Sequence, residues 1–167
     1  MTIRPFIPWP DRRLKTVCAP VAEVTDEIRA IWRDMIDTMR TMPGGVGLAA
    51  PQIGVMVRLA VVDASEGREV PIRLANPELI SASEALNHHE EASPNLPGLS
   101  ATVARPAQVT LRYVDETGHE TERQFDGLWA TSVQHQLDHL DGRIYLDRLS
   151  RTRRQMLLKR YQKLRKG

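Results

Sequence analysis

The chain of 167 residues is poor in cysteine and in long apolar runs, and each shortage excludes a class of protein. Cys18 is the only cysteine, so an internal disulfide and a zinc site built from several cysteines are both excluded. No run approaches the roughly 18 apolar residues of a transmembrane helix. The first residues contain no apolar stretch of the signal-peptide kind. We therefore expect a cytoplasmic protein without a membrane partner.

The rest of the composition is that of an ordinary globular domain. Apolar residues make up 41% of the chain, and a domain of this length buries roughly two-thirds of its unfolded surface. Its core therefore needs neither a disulfide nor a metal. We predict a single domain over residues 1–167, in which any bound metal would serve chemistry rather than folding.

Acidic residues are absent from the last twenty positions. Residues 148–167 contain nine basic residues, whereas residues 1–147 contain fourteen basic and twenty-one acidic residues, a net charge of −7. We predict a basic C-terminal helix over 148–167, with Leu157, Tyr161 and Leu164 along one side. Two interpretations stay open: the helix packs on the body and is otherwise solvated, or its cations attract a polyanion.

Periodicity predicts two further helices. Apolar residues recur at helical spacing over 26–42, after a candidate N-cap at Thr25 and before the stop signal Pro43-Gly44-Gly45. The second helix is predicted from a cap at Asp126 to about Leu140. Four β-type runs complete the α+β pattern, with Thr117-Gly118 as a hairpin turn between the last two. These runs cover 57–63, 71–80, 107–115 and 119–125.

Two histidines, His135 and His139, stand four residues apart in the second predicted helix. At this spacing both imidazoles project from one face and can bind one metal ion. Ordinary surface histidines also occur at this spacing, so the surrounding string has to decide. That string is QHQLDHLDG, residues 134–142.

QHQLDHLDG resembles the metal-binding helix of peptide deformylases, which carries His-Glu-x-x-His. A second string, GVGLAAPQIGV at 45–55, is similar to the family's Gly-x-Gly-Leu-Ala-Ala-x-Gln motif. A third, EEASPNLPGLSATVARP at 90–106, lies over the family's Glu-Gly-Cys-Leu-Ser segment. The order and spacing of the three agree with the family. The resemblance implies the α+β peptide-deformylase fold, with antiparallel sheets around a central helix that carries both histidines, and a C-terminal helix.

The resemblance also implies a chemistry. In active members two His and one Cys thiolate hold a metal, usually Fe(II), and the Glu of the His-Glu pair takes a proton from a metal-bound water. A Gln amide and the backbone N–H after the Cys stabilise the oxyanion while formyl leaves the N-terminal Met of a nascent peptide. His135 and His139 are thus the implied ligands and Gln52 the implied oxyanion donor. The implied substrate-binding residues are Gly45, Gly47, Leu48 and Glu91.

Three of the implied catalytic parts are missing. Gln136 stands at the Glu position, and its neutral amide cannot take a proton from water near pH 7. Ser93 stands at the Cys position, where a neutral hydroxyl is a poor ligand for such a metal. Pro94 follows it and has no N–H to donate. Losing an oxyanion donor or a general base costs about 10² to 10⁴ in rate, so we expect ordinary deformylation to be absent or severely reduced.

Two hypotheses follow. The first is a deformylase-like pseudoenzyme that binds peptide N-termini or the ribosome, with no metal or a weakly bound Fe2+, Zn2+ or Ni2+. The alternative is a working metal-dependent deformylase with an atypical third ligand, supplied by Ser93 or by a residue of the segment His88–Glu91. We favour a solvated loop for that segment, with Glu91 making structural hydrogen bonds. We expect Cys18 not to be a ligand and His119 to be exposed.

Overall fold

Three α-helices and seven strands follow one another along the chain, and the computed structural model describes all of residues 1–167. Three short 3₁₀ turns, at Arg12–Lys15, Ala50–Ile53 and Tyr145–Arg148, lie between them. The helices and strands are, in order, α1 (Asp26–Met39), β1 (Gly47–Ala49), β2 (Leu59–Val62), β3 (Ile72–Ala82), β4 (Leu86–Glu91), β5 (Ala101–Pro106), β6 (Gln108–Val114), β7 (Glu120–Asp126), α2 (Gly127–Leu140) and α3 (Arg151–Lys166).

The strands form two antiparallel sheets. Five strands pair in the order β1-β2-β3-β6-β7, and β4 pairs separately with β5. The turn at Thr117-Gly118 joins β6 to β7, as the sequence predicts. The α+β class with antiparallel sheets, a central helix and a C-terminal helix is therefore confirmed.

Strand β2 shows how the larger sheet is buried. Its side chains alternate between two faces, so Leu59 and Val61 pack with Trp32 of α1. Ala60 and Val62 pack on the opposite face in the cluster that contains Val133 of α2. The sheet is thus covered by a helix on each side at this strand, which explains why LAVV is apolar without alternation.

Helix α2 is central because residues around most of its circumference are buried. Ten of its fourteen residues are buried, including both histidines. The helix is followed by Gly142 at φ +75°, where a Cβ atom would lie 2.8 Å from the carbonyl of Lys15. A larger residue would therefore strain the backbone and displace the N-terminal segment from the end of α2.

Helix α3 packs against an apolar cluster that includes Ala101 and Val103 of β5. Leu157 and Tyr161 are buried in a cluster with Trp9, Leu96 and Tyr145. Leu164, predicted on the same side, is half exposed instead, because it lies in the last turn at the margin of this contact. The helix begins at Arg151 with Ser150 as N-cap, three residues after the predicted start.

Several other predicted boundaries need correction. Helix α1 ends at Met39 rather than at 42, and a short turn fills the difference before the glycines. Asp126 stands at the N-cap position of α2, but its side chain makes no capping hydrogen bond. The sequence prediction missed β1, β4 and β5. None of the helices is long and apolar enough to cross a membrane.

Candidate functional site

The three motif segments meet around one cleft of about 480 Å³. The segment before β1 forms one wall, the loop after β4 forms a second, and α2 forms the third. Leu48 does not line the cleft, because its side chain is fully buried in the core with Trp32 of α1. The sequence-predicted residues that do line it are Gly45, Gly47, Gln52, Glu91, Ser93, His135 and Gln136.

The two histidines form a buried pair. Nε2 of His139 lies 3.2 Å from Nε2 of His135, and Nδ1 of His135 lies 2.7 Å from Oε1 of Glu91. Burial would raise the pKa of Glu91, but hydrogen bonds from His135 and Arg105 outweigh it and hold that pKa below its usual value. Glu91 is therefore an ionised acceptor, as expected from its role in the motif, and Nδ1 of His135 donates to it.

The contact between the two rings is a hydrogen bond in which one Nε2 atom donates and the other accepts. Burial lowers the pKa of His139 well below its usual value, with further lowering by His135 and Arg105, so the His139 ring is neutral. Its Nδ1 atom is buried and has no hydrogen-bond partner.

Ser93 belongs to a ring of amides rather than to the histidine pair. Its hydroxyl donates to Oδ1 of Asn95 at 3.1 Å, and Nε2 of Gln52 donates to Ser93 Oγ at 3.3 Å and to Asn95 Oδ1 at 2.8 Å. The Oε1 atom of Gln52 accepts the backbone N–H of Ala49 at 2.9 Å. The Nε2 group of Gln52 thus already has two acceptors inside the protein.

Gln136 lines the cleft, and its side-chain oxygen is a hydrogen-bond acceptor without a partner. The residue is 4% exposed, and its Oε1 atom has no hydrogen-bond partner. Its amide lies against the backbone of Gly47, where an added Cβ atom would stand 2.5 Å from Gln136 Nε2 and 2.5 Å from Ser132 Oγ. Gly47 therefore leaves the room that the Gln136 side chain occupies.

A chain of alternating charges supports the cleft from behind. Arg105 of β5 binds Glu91 through Nε at 2.7 Å and Nη2 at 2.9 Å, and binds Asp138 of α2 through Nη1 at 2.9 Å. Arg148 reaches Asp138 from the surface and closes the chain. Two carboxylates and two guanidinium groups balance one another, so the wall behind the histidines carries no net charge.

These residues do not fit the metal that the motif implies. A metal needs the Nε2 lone pairs of both rings, so His139 would have to carry its proton on Nδ1, where no acceptor waits for it. Metal-binding imidazoles ordinarily donate that second N–H to a partner. The third donor, Ser93, is a neutral hydroxyl within the amide ring. Nowhere in the chain do three His, Cys, Asp or Glu side chains meet as a group that could hold a metal ion.

The other candidate residues have structural surroundings. Residues 88–91 lie within strand β4 rather than in a loop. His89 of this strand is half buried, and its Nδ1 atom lies 2.7 Å from Thr131 Oγ1. Cys18 is buried beside Ala49 and Leu140, and this burial raises the pKa of its thiol to about 11, so it is a neutral core residue. His119 is exposed in the β6–β7 turn, as predicted.

Three residues that matter at the site were missed by sequence reasoning: Asn95, Arg105 and Asp138. Asn95 follows a proline in an irregular loop, and its partners lie more than forty residues away, at Ile7 and Gln52. Arg105 binds Glu91 and Asp138 across 14 and 33 positions. The only local signal was that Asp138 lies on the helix that carries the histidines.

Comparison with known proteins agrees with the fold. The family model described as Polypeptide deformylase matches residues 3–155. A curated relative named Peptide deformylase from Methylocella silvestris is 43% identical over 168 residues, covering 98% of this chain and 85% of the relative. A second, from Rhodopseudomonas palustris (strain BisB5), is 42% identical over 167 residues, with 98% and 95% covered.

Solved structures show the same fold. The crystal structure of a peptide deformylase from Legionella pneumophila is similar at 36% identity and a TM-score of 0.89, covering 99% of this chain and 96% of that one. The peptide deformylase from Ehrlichia chaffeensis in complex with actinonin is similar at 29% identity and a TM-score of 0.91, with full coverage of both.

The charge chain behind the cleft yields a stability prediction. The Arg105→Met substitution leaves Glu91 and Asp138 buried without their shared guanidinium, so we expect it to lower the free energy of unfolding by about 3 to 5 kcal/mol. The matched control is Arg112→Met on β6, which removes an exposed ion pair with Glu122. Its effect should be much smaller. Equal losses of unfolding free energy in the two variants, measured by urea denaturation, would contradict the importance of this buried charge chain.

Proposed function

The chain belongs to the peptide deformylase family, and from this premise we propose that it is a binding member of that family, which holds peptide N-termini in the cleft and removes formyl slowly or not at all. Peptide deformylases are metal-dependent hydrolases of protein biosynthesis. Whether this protein hydrolyses its ligand or only binds it therefore depends on the side chains that could coordinate the metal. The observation that carries the proposal is the hydrogen-bonding of Ser93, the implied third donor, to the amides of Gln52 and Asn95.

Each step of deformylation lacks a group at this site. Gln136 has no basicity with which to take a proton from water. Pro94 has no N–H, and Nε2 of Gln52 already has two acceptors within the protein, so an oxyanion would have to compete for that amide. One such loss alone costs about 10² to 10⁴ in rate. The losses do not simply multiply, but any one of them suffices to make turnover slow.

The cleft nevertheless keeps properties that suit a peptide terminus. Its lining contains no lysine or arginine, and Glu91 within it is already neutralised by Arg105. A formylated terminus is uncharged and can enter such a site without burying an unpaired charge.

The names of the relatives favour a second candidate, a working deformylase with an atypical third ligand. Relatives about two-fifths identical to this chain are called peptide deformylases over nearly its whole length. The 3.2 Å between the two Nε2 atoms is also close to the roughly 3.3 Å expected for two imidazoles on one tetrahedral ion. The two candidates differ in metal content and in turnover.

Turnover of a formyl-Met tripeptide separates the two candidates. The protein is prepared anaerobically with Fe(II), Ni(II) or Zn(II), and metal content and formate release are measured beside the Rhodopseudomonas palustris relative. We expect substoichiometric metal and a kcat/KM at least about 100-fold below that of the relative, because a base and the oxyanion donors are lost. Stoichiometric metal with comparable turnover would establish the second candidate.

Binding of the same peptide tests whether the cleft is the binding site. The Gly47→Ala substitution forces Gln136 or Ser132 to move into the cleft, because the new Cβ atom would stand 2.5 Å from each side chain. We expect it to weaken binding of a fluorescent formyl-Met peptide at least about tenfold. Gly67→Ala is the matched control, since its nearest neighbour atom lies at 3.8 Å. Unchanged binding in both variants would place the peptide elsewhere.

We also propose that α3 presents a surface to a polyanion, with the ribosome as the partner to test. Leu157 and Tyr161 hold the helix on the body. On its opposite side Lys159, Lys163 and Lys166 are exposed, and no salt bridge joins any of them to an acidic residue. Unopposed cations in a row attract phosphate by releasing counterions.

Ribosome co-sedimentation tests this surface. The triple substitution Lys159→Gln, Lys163→Gln and Lys166→Gln keeps the buried side of α3, and we expect it to weaken binding and flatten its salt dependence. The matched control removes the same charge elsewhere, through Arg33→Gln, Arg40→Gln and Arg143→Gln at exposed positions. Equal effects of the two triples would contradict a specific role for α3.

A further inference from the structure

Asn95 is the residue that organises the amide ring, and it lies fully buried in the loop after β4. Its Nδ2 group donates to the backbone carbonyls of Ile7 at 2.6 Å and Gln52 at 3.0 Å. Because both partners are carbonyls, the side-chain orientation of Asn95 is unambiguous. Its Oδ1 atom therefore points at Gln52 Nε2 and Ser93 Oγ.

The orientation of Gln52 is equally determined. Its Oε1 atom accepts the backbone N–H of Ala49, so Nε2 must face Asn95 and Ser93. Ser93 Oγ receives an N–H from Gln52 at 3.3 Å and lies 3.4 Å from the backbone nitrogen of Asn95. The shortest of these hydrogen bonds joins Ser93 Oγ to the side-chain oxygen Oδ1 of Asn95, at 3.1 Å. The hydroxyl proton of Ser93 is therefore the donor in this contact.

From this geometry we infer that Asn95 is a positioning residue: its Oδ1 atom accepts the hydroxyl of Ser93 and would oppose an anionic ligand at position 93, which disfavours a metal in the cleft. The inference deepens the proposed function and rests on it, since it names the residue that maintains a metal-free site. A thiolate or alkoxide has no proton to donate, and its charge would face the lone pairs of Asn95 Oδ1 at about the same distance. Only an anionic sulfur is a strong metal ligand here.

Asn95 also stands where the motif Glu-Gly-Cys-Leu-Ser ends in Ser. A serine is too short to reach the carbonyls of both Ile7 and Gln52, and its hydroxyl rotates and can donate to an anion. Replacing Asn95 by Ser would therefore remove the opposing carbonyl and release one amide hydrogen of Gln52. The Ser93→Cys substitution alone would leave the side-chain carbonyl of Asn95 in place.

Cobalt binding tests the inference. Co(II) alone is titrated into Ser93→Cys, Asn95→Ser and the double variant, following affinity and the cobalt–thiolate charge-transfer band. We expect the band in the double variant only, with at least about tenfold tighter Co(II) binding than in Ser93→Cys, a ratio typical of relieving one mismatched buried polar contact. A full band in Ser93→Cys alone, or no band in the double variant, would overturn the inference.

Two controls keep the test decisive. Asn95→Ser removes hydrogen bonds to the N-terminal segment, so unfolding of every variant is followed by circular dichroism. Ser93→Cys with Asn95→Ala serves as a second double variant, because it also removes the carbonyl and should give the same band. Turnover by the unmodified protein comparable to that of the Rhodopseudomonas palustris relative would contradict the proposed function. Equal Co(II) affinity of Ser93→Cys and of the double variants would contradict only the role of Asn95.

Discussion

The buried charge chain from Glu91 through Arg105 and Asp138 to Arg148 is the interaction on which the site depends. It joins β4, β5, α2 and the turn before α3, and no other polar contact links so many of these elements. Because it is complete, Glu91 remains ionised and orients His135. The cleft therefore keeps its shape without a metal, since the residues behind it already satisfy one another.

Gln136 and Ser93 differ from the motif residues in charge more than in volume. Gln136 and Ser93 are close in shape to the Glu and Cys of the motif, and both are neutral. A metal site with a thiolate and a carboxylate needs the ion to balance those charges. Here the carboxylate of Glu91 is balanced by Arg105, and the two histidines share a hydrogen bond between their Nε2 atoms, so a divalent ion would have to replace that hydrogen bond.

Much of the fold could be predicted because its helices and longer strands show their periodicity locally. Helix α1 has apolar residues at helical spacing, and β6 alternates along its length. Strand β4 could not be found this way: LNHHEE contains one apolar residue, and its pairing with β5 depends on contacts across the loop between them. Strand β1, three residues long, is too short to display a period.

The site is harder to predict from the sequence than the fold, because a motif residue can be present while its hydrogen-bond donor groups already have partners in the protein. Gln52 matches the motif, which implies an oxyanion donor, yet its Nε2 atom already has Asn95 and Ser93 as acceptors. That competition involves residues 41 and 43 positions away and leaves no local pattern. What this cleft can do is therefore decided by which hydrogen-bonding groups remain free, and the unpaired oxygen of Gln136 is one that does.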